Sequence, residues 1–170
     1  MNRISHGSVV MVVWLVLACT GRDGATAQRP ATGGASAQSI CLSADLVSQT
    51  VGFPVTVLAQ GTRSYGDTEI CAYQAVESQG VFVSLIVQPV GGEEDPIASV
   101  KAGPKALLGA QAEADPVAIG DGGYAYGSDT KSEAAVRKGN RVYYADVTAS
   151  AGSTGDKKAA VIELLRQIVR

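Results

Sequence analysis

Apolar residues recur at helical spacing at both ends of the region beyond residue 39, and at a spacing of two between them. In the stretch Leu42–Gly52, Leu46, Val47 and Val51 share one helical face. Ser43 is a natural N-cap and Gly52 closes the helix, with Pro54 beyond. Near the C-terminus, Ala160, Val161, Leu164, Leu165 and Ile168 make one apolar stripe behind Ser153-Thr154-Gly155-Asp156, which has the Ser-x-x-Asp capping form. A third helix is predicted from Asp95 as cap and Pro96 in the first turn, with Pro104 breaking it and a resumption over 105–112. Glu93, Glu94 and Asp95 complement the dipole at that helix start and lack the Asp-x-Asp-x-Asp-Gly spacing of a calcium loop, so no metal is expected.

Period-two stretches predict strands over 54–59, 69–77 and 81–90, a strand carrying Tyr124 and Tyr126, and strands over 133–138 and 141–149. The segment 61–67 reads as loop. In 81–90, Val81, Val83, Leu85 and Val87 point one way, while Phe82 and Ile86 point the other, so both faces are apolar and the strand is central. Short turns between successive strands pair them antiparallel. The predicted fold is α+β: an antiparallel sheet of about six strands with helices packed on one face.

The two-residue turn Gly139-Asn140 fixes a hairpin register in which Lys138 faces Arg141, Val136 faces Tyr143 and Ala135 faces Tyr144. Alternation puts Ala134, Val136, Tyr143, Ala145 and Val147 on the core side, and Glu133, Arg137, Tyr144, Asp146 and Thr148 on the other. Tyr143 is therefore expected buried and Tyr144 exposed. Arginine beside tyrosine is a composition enriched at recognition surfaces, which makes Arg137 and Tyr144 the candidate binding surface. The competing reading is a solvated sheet face, with Glu133 opposite Asp146 as its one unfavourable pair.

Residues 1–18 have the form of a signal peptide: Arg3 precedes an uncharged apolar run from Val9 to Ala18, too short to span a membrane. The run ends at Leu15-Val16-Leu17-Ala18-Cys19, which resembles the bacterial lipobox. The resemblance implies that Cys19 receives a diacylglycerol and further acyl chains such as palmitate, enough for a stable membrane anchor. Ordinary cleavage after Ala25-Thr26-Ala27, giving a secreted protein, is the alternative. Residues 19–38, rich in Gly, Ala, Ser and Thr, then form a flexible linker, and 39–170 a single domain.

Composition narrows the chemistry further. Fourteen Lys and Arg stand against 16 Asp and Glu over 170 residues, a balance that offers no pull towards nucleic acid. Cleavage before Cys19 removes Arg3, Trp14 and His6, the one histidine of the chain. The processed chain then has no histidine for a Ser-His-Asp triad, a Cys-His pair or a His-ligated metal. Neither a Gly-x-x-x-x-Gly-Lys-Ser/Thr nor a Gly-x-Gly-x-x-Gly motif is present, so no nucleotide cofactor is expected. Cys41 and Cys71 lack Cys-x-x-Cys spacing and, in an exported chain, are expected to form a structural disulfide.

The order of these features resembles the small actinobacterial envelope lipoproteins of unknown function, which are similar to PsbP-like α+β sandwiches. The resemblance is carried by Cys41 before a helix ending in Val51-Gly52, then Cys71-Ala72-Tyr73 on a strand. Val117-Ala118-Ile119-Gly120-Asp121 ahead of Tyr124, Val136-Arg137-Lys138-Gly139-Asn140 and a closing helix continue it. It implies a noncatalytic envelope lipoprotein, exported, anchored on the outer face of the membrane through Cys19, that binds a protein partner or small ligand. The alternatives are a small secreted enzyme (a hydrolase without histidine, using carboxylates such as Asp121 and Asp146 or a Ser/Lys pair) and a purely structural envelope component.

Overall fold

The computed structural model describes residues 39–78, 80–91, 95–149 and 156–169, all within the compact unit Ala37–Arg170. The expected leader, Cys19, the linker, Glu93, Glu94 and the Ser153-Thr154-Gly155 run lie outside these residues. The chain builds α1 (Ala44–Val51), β1 (Val55–Val57), β2 (Arg63–Tyr65), β3 (Thr68–Ala75), β4 (Phe82–Pro89) and α2 (Pro96–Leu107). It continues with β5 (Asp115–Val117), β6 (Gly122–Gly127), β7 (Lys131–Lys138), β8 (Arg141–Thr148) and α3 (Lys157–Ile168).

The local rules behind the helices are visible at their ends. Ser43 caps α1, its side chain accepting from Leu46 N, and Gly52 takes the left-handed C-cap position. Asp95 caps α2 through Ile97 N and Ala98 N, with Pro96 next. Asp156 caps α3, its side chain accepting from Ala159 N. Pro104 does not break its helix: α2 runs through it to Leu107. The ring forfeits one intrahelical hydrogen bond, and its full burial offsets part of that loss.

The sheet is α+β and wholly antiparallel, with eight strands instead of about six, in the order β1-β3-β4-β8-β7-β6-β5 and with β2 beside β1 on the outer edge of β3. The two additional strands are the three-residue β2 and β5. The first is exposed throughout and the second contains Pro116, so neither carries a burial alternation that sequence could announce. β4 lies between β3 and β8, as its two apolar faces predict.

One face of the sheet carries Cys71, Tyr73, Leu85, Val87, Val136 and Val147 into the main core, where they meet Val47 of α1 and Val161, Leu164 and Leu165 of α3. Each fully buried aliphatic side chain contributes about 1.5–3 kcal/mol there. The other face holds a separate, smaller cluster of Val100 from α2 with Tyr126 and Ala135, edged by Ile97, Ala114, Tyr124 and Tyr144. The expectation of helices on one face is thereby corrected. α1 and α3 share a face, and α2 lies across the other, because the second faces of β6 and β7 are themselves apolar enough to receive Val100.

Cys41 and Cys71 form the expected disulfide, with Cα atoms 5.3 Å apart. It ties the chain ahead of α1 to β3. Tyr73 Oη donates to Leu42 O at 2.7 Å and reinforces that tie; burial pushes the phenol up to about 12. Among the described residues no helix is long and apolar enough to cross a membrane.

Candidate functional site

The β7–β8 hairpin has the predicted register, Lys138 opposite Arg141, Arg137 opposite Val142, Val136 opposite Tyr143 and Ala135 opposite Tyr144. Tyr143 packs against the main core and is half-buried. Tyr144 is half-buried as well, not exposed, because α2 covers its face. Its hydroxyl donates to Glu133 Oε1 at 2.6 Å, and Tyr126 Oη donates to Glu133 Oε2 at 2.6 Å. Lys131 forms an ion pair with the same carboxylate.

Both Glu133 oxygens are thus satisfied beneath α2, and the expected clash with Asp146 across the register is relieved from Glu133's side. Burial pushes the Glu133 carboxyl up, yet hydrogen bonds from Lys131, Tyr126 and Tyr144 outweigh it and hold the group below its ordinary value. Asp146 behaves oppositely. Burial, with Glu133 adding to it, pushes its carboxyl up to about 6 against the hydrogen bonds from Ser84 and Thr148. Desolvation and the neighbouring carboxylates raise both phenols as well, so Tyr126 and Tyr144 stay neutral donors.

An open feature lies one row further along the same face. Gln88, Val142, Arg137 and Gly122 stand opposite one another across β4, β8, β7 and β6, and the first turn of α2 overhangs this row. A groove of about 890 Å³ runs towards β5 and the turn before β6, lined by Ile97, Pro116, Asp121, Tyr124 and Arg137 among others. A second, of about 430 Å³, runs towards the end of β4 past Pro89, Asp95 and Val142, and shares Ile97 and Arg137 with the first. Arg137 Nε donates to Gly139 O at 2.8 Å. Its terminal Nη groups have no hydrogen-bond or ion-pair partner among the described residues.

The floor of the larger groove depends on a bare backbone. A Cβ on Gly123 would lie 1.9 Å from Ala135 O, so only glycine lets β6 approach β7 there. Asp121, one of the two acids singled out for hydrolytic chemistry, is committed to the fold: its Oδ2 accepts from Gly139 N at 2.8 Å and its own N–H donates to Arg137 O at 2.6 Å. Asp146 lies 25 positions along, in the row of Ser84 and Glu133, and lines neither groove.

The structure therefore places Arg137 where the two grooves join and turns Tyr144 away into the carboxylate cluster. Cys41, Glu69 and Cys71 bring potential ligand atoms within 4.8 Å of one another. Their sulfurs are bonded to each other, and Glu69 already accepts from Ser39 Oγ and Ile40 N, so the set fits a staple and not a metal centre. Sequence reasoning missed Ile97, Pro116 and Tyr124 as groove walls. Pro116 faces Tyr124 only through β5, and the landing face of α2 leaves no trace in the local pattern. Comparison of the chain with protein-family models, curated proteins and solved structures found no match.

Proposed function

We propose that this protein is a noncatalytic, lipid-anchored protein of the cell envelope that binds its partner or small ligand in the groove beneath the start of α2. The observation that carries the reading is Arg137, exposed at the junction of the two grooves with its guanidinium ends unpaired among the described residues. A cation held by its stem and open at its tip is suited to a charge-assisted, two-pronged contact. The noncatalytic part draws support from the acids. Glu133 and Asp146, the pair that meets across two strands, are occupied by tyrosine, lysine, serine and threonine donors and line neither of the two grooves. Export draws support from the disulfide, and the anchor from the lipobox-like run ending at Cys19.

Capture from native envelopes tests it, with the wild-type chain compared with Arg137→Glu. The expected result is a bound species retained by the wild type and lost by the variant at unchanged thermal stability. Equal retention by both would remove the groove from the proposal. The intact mass of the envelope-bound protein should begin at a lipid-modified Cys19; a chain beginning at Gln28 would make it a secreted protein.

A further inference from the structure

Resting on the groove as the binding site, the geometry points to its ligand class: a small organic monoanion whose carboxylate seats on Arg137 and whose apolar, preferably aromatic, body lies along Ile97, Pro116 and Tyr124. Three observations converge on this. Ile97, Pro116, Val117, Ala118 and Tyr124 supply hydrocarbon on the larger side, beside a nearly equal polar share from Asp121, Arg137 and the glycine backbone. At about 890 Å³, that side is an open groove with room for a small molecule.

Charge supplies the second observation. Among the described residues Arg137 is the one cationic side chain lining either groove, and an aspartate lies on each side of it, Asp121 in the larger groove and Asp95 in the smaller. Asp95 is fixed as the cap of α2, and Asp121 is fixed on Gly139 N. Two fixed carboxylates beside Arg137 leave no surplus positive charge, which disfavours phosphates and other polyanions; what Arg137 offers is a directed, two-pronged contact for one carboxylate. The third observation is aromatic. The Tyr124 ring lines the groove, with the Lys101 ammonium 4.9 Å from its centroid. A flat ring laid beside it gains offset stacking beyond the area it buries.

The test uses the full chain as its host exports it, held in lipid nanodiscs, with 2-naphthoate as probe and empty nanodiscs as blank. Processing before Cys19 removes Trp14, the single tryptophan, so naphthoate fluorescence anisotropy, excited beyond the tyrosine band, reads binding without tryptophan background. Binding is expected, weakened at least ~tenfold by Arg137→Gln and partly restored by Arg137→Lys. The neutral 2-naphthamide should bind at least ~tenfold more weakly than the acid, and inorganic phosphate should not displace it. Unchanged affinity in Arg137→Gln, equal binding of the amide, or displacement by phosphate would each overturn the assignment. Naphthoate failing to bind while envelope capture still depends on Arg137 would overturn the ligand class and leave the groove standing. Loss of both would overturn both.

Discussion

Across β7 and β8, Glu133 and Asp146 share a register position and titrate in opposite directions. For Asp146 the folded carboxyl holds its proton up to about 6, against an ordinary value of 3.8. Between those pH values the folded state binds a proton that the unfolded chain has lost, so stability falls as pH rises through the window and is lowest above it. Glu133 has the reverse sign. Its lowered value contributes stability above the ordinary glutamate range that disappears as pH falls through the folded value. Unfolding free energy should therefore rise as pH drops from 7 towards 4 and decline again below that. Asp146→Asn should remove the rise and stabilise the protein at pH 7 by roughly 2–3 kcal/mol, measured by urea unfolding across that range. Tyr144→Phe takes a donor from a buried carboxylate and should cost about 1.5–3 kcal/mol at pH 7. The meeting of the two acids was legible from the Gly139-Asn140 turn alone. The tyrosine donors were not, since they matter only once a helix lies above them and excludes water.

Among the elements, α2 behaves least as its sequence suggests. A glycine inside a helix is ordinarily improved by alanine by about 1 kcal/mol. Here a Cβ on Gly103 would lie 2.7 Å from the ring of Tyr126, which is buried and held by its bond to Glu133. Gly103→Ala should therefore destabilise by about 1–3 kcal/mol, a change of sign that thermal or urea unfolding reads directly. The long elements could be read from periodicity: full burial alternates along β4, and α3 shows its stripe. β2 and β5 were unreadable because three residues set no period. Arg63 and Tyr65 are exposed, and Pro116 argues against a strand. The second helix-bearing face was unreadable for a different reason. Val100, Tyr126 and Ala135 meet from three separate elements, and each alone looks like an ordinary surface position.

At the scale of the molecule, the disulfide closes a loop spanning 30 positions between the start of the described chain and β3. Cys41→Ser should lower the unfolding free energy by roughly 3 kcal/mol in the chain-entropy account, read as a lowered urea midpoint with a steeper slope, since the unlinked denatured chain exposes more surface. The unequal size of the two cores has a consequence for motion. α1 and α3 are anchored in one large cluster, whereas α2 meets the sheet in a cluster of three buried residues, one of them its own Val100, and lacks one backbone hydrogen bond at Pro104. Local opening follows the least buried unit, so α2 should lift while the sheet and α3 stay intact. Amide hydrogen exchange should show it: the N–H groups of α2 exchanging well before those of α3, under conditions where the whole chain remains folded. The first turn of α2 is also the roof over Arg137. Access to the groove then becomes a matter of how often that roof opens, and anything bound beneath it would slow exchange in α2 without touching the rest of the fold.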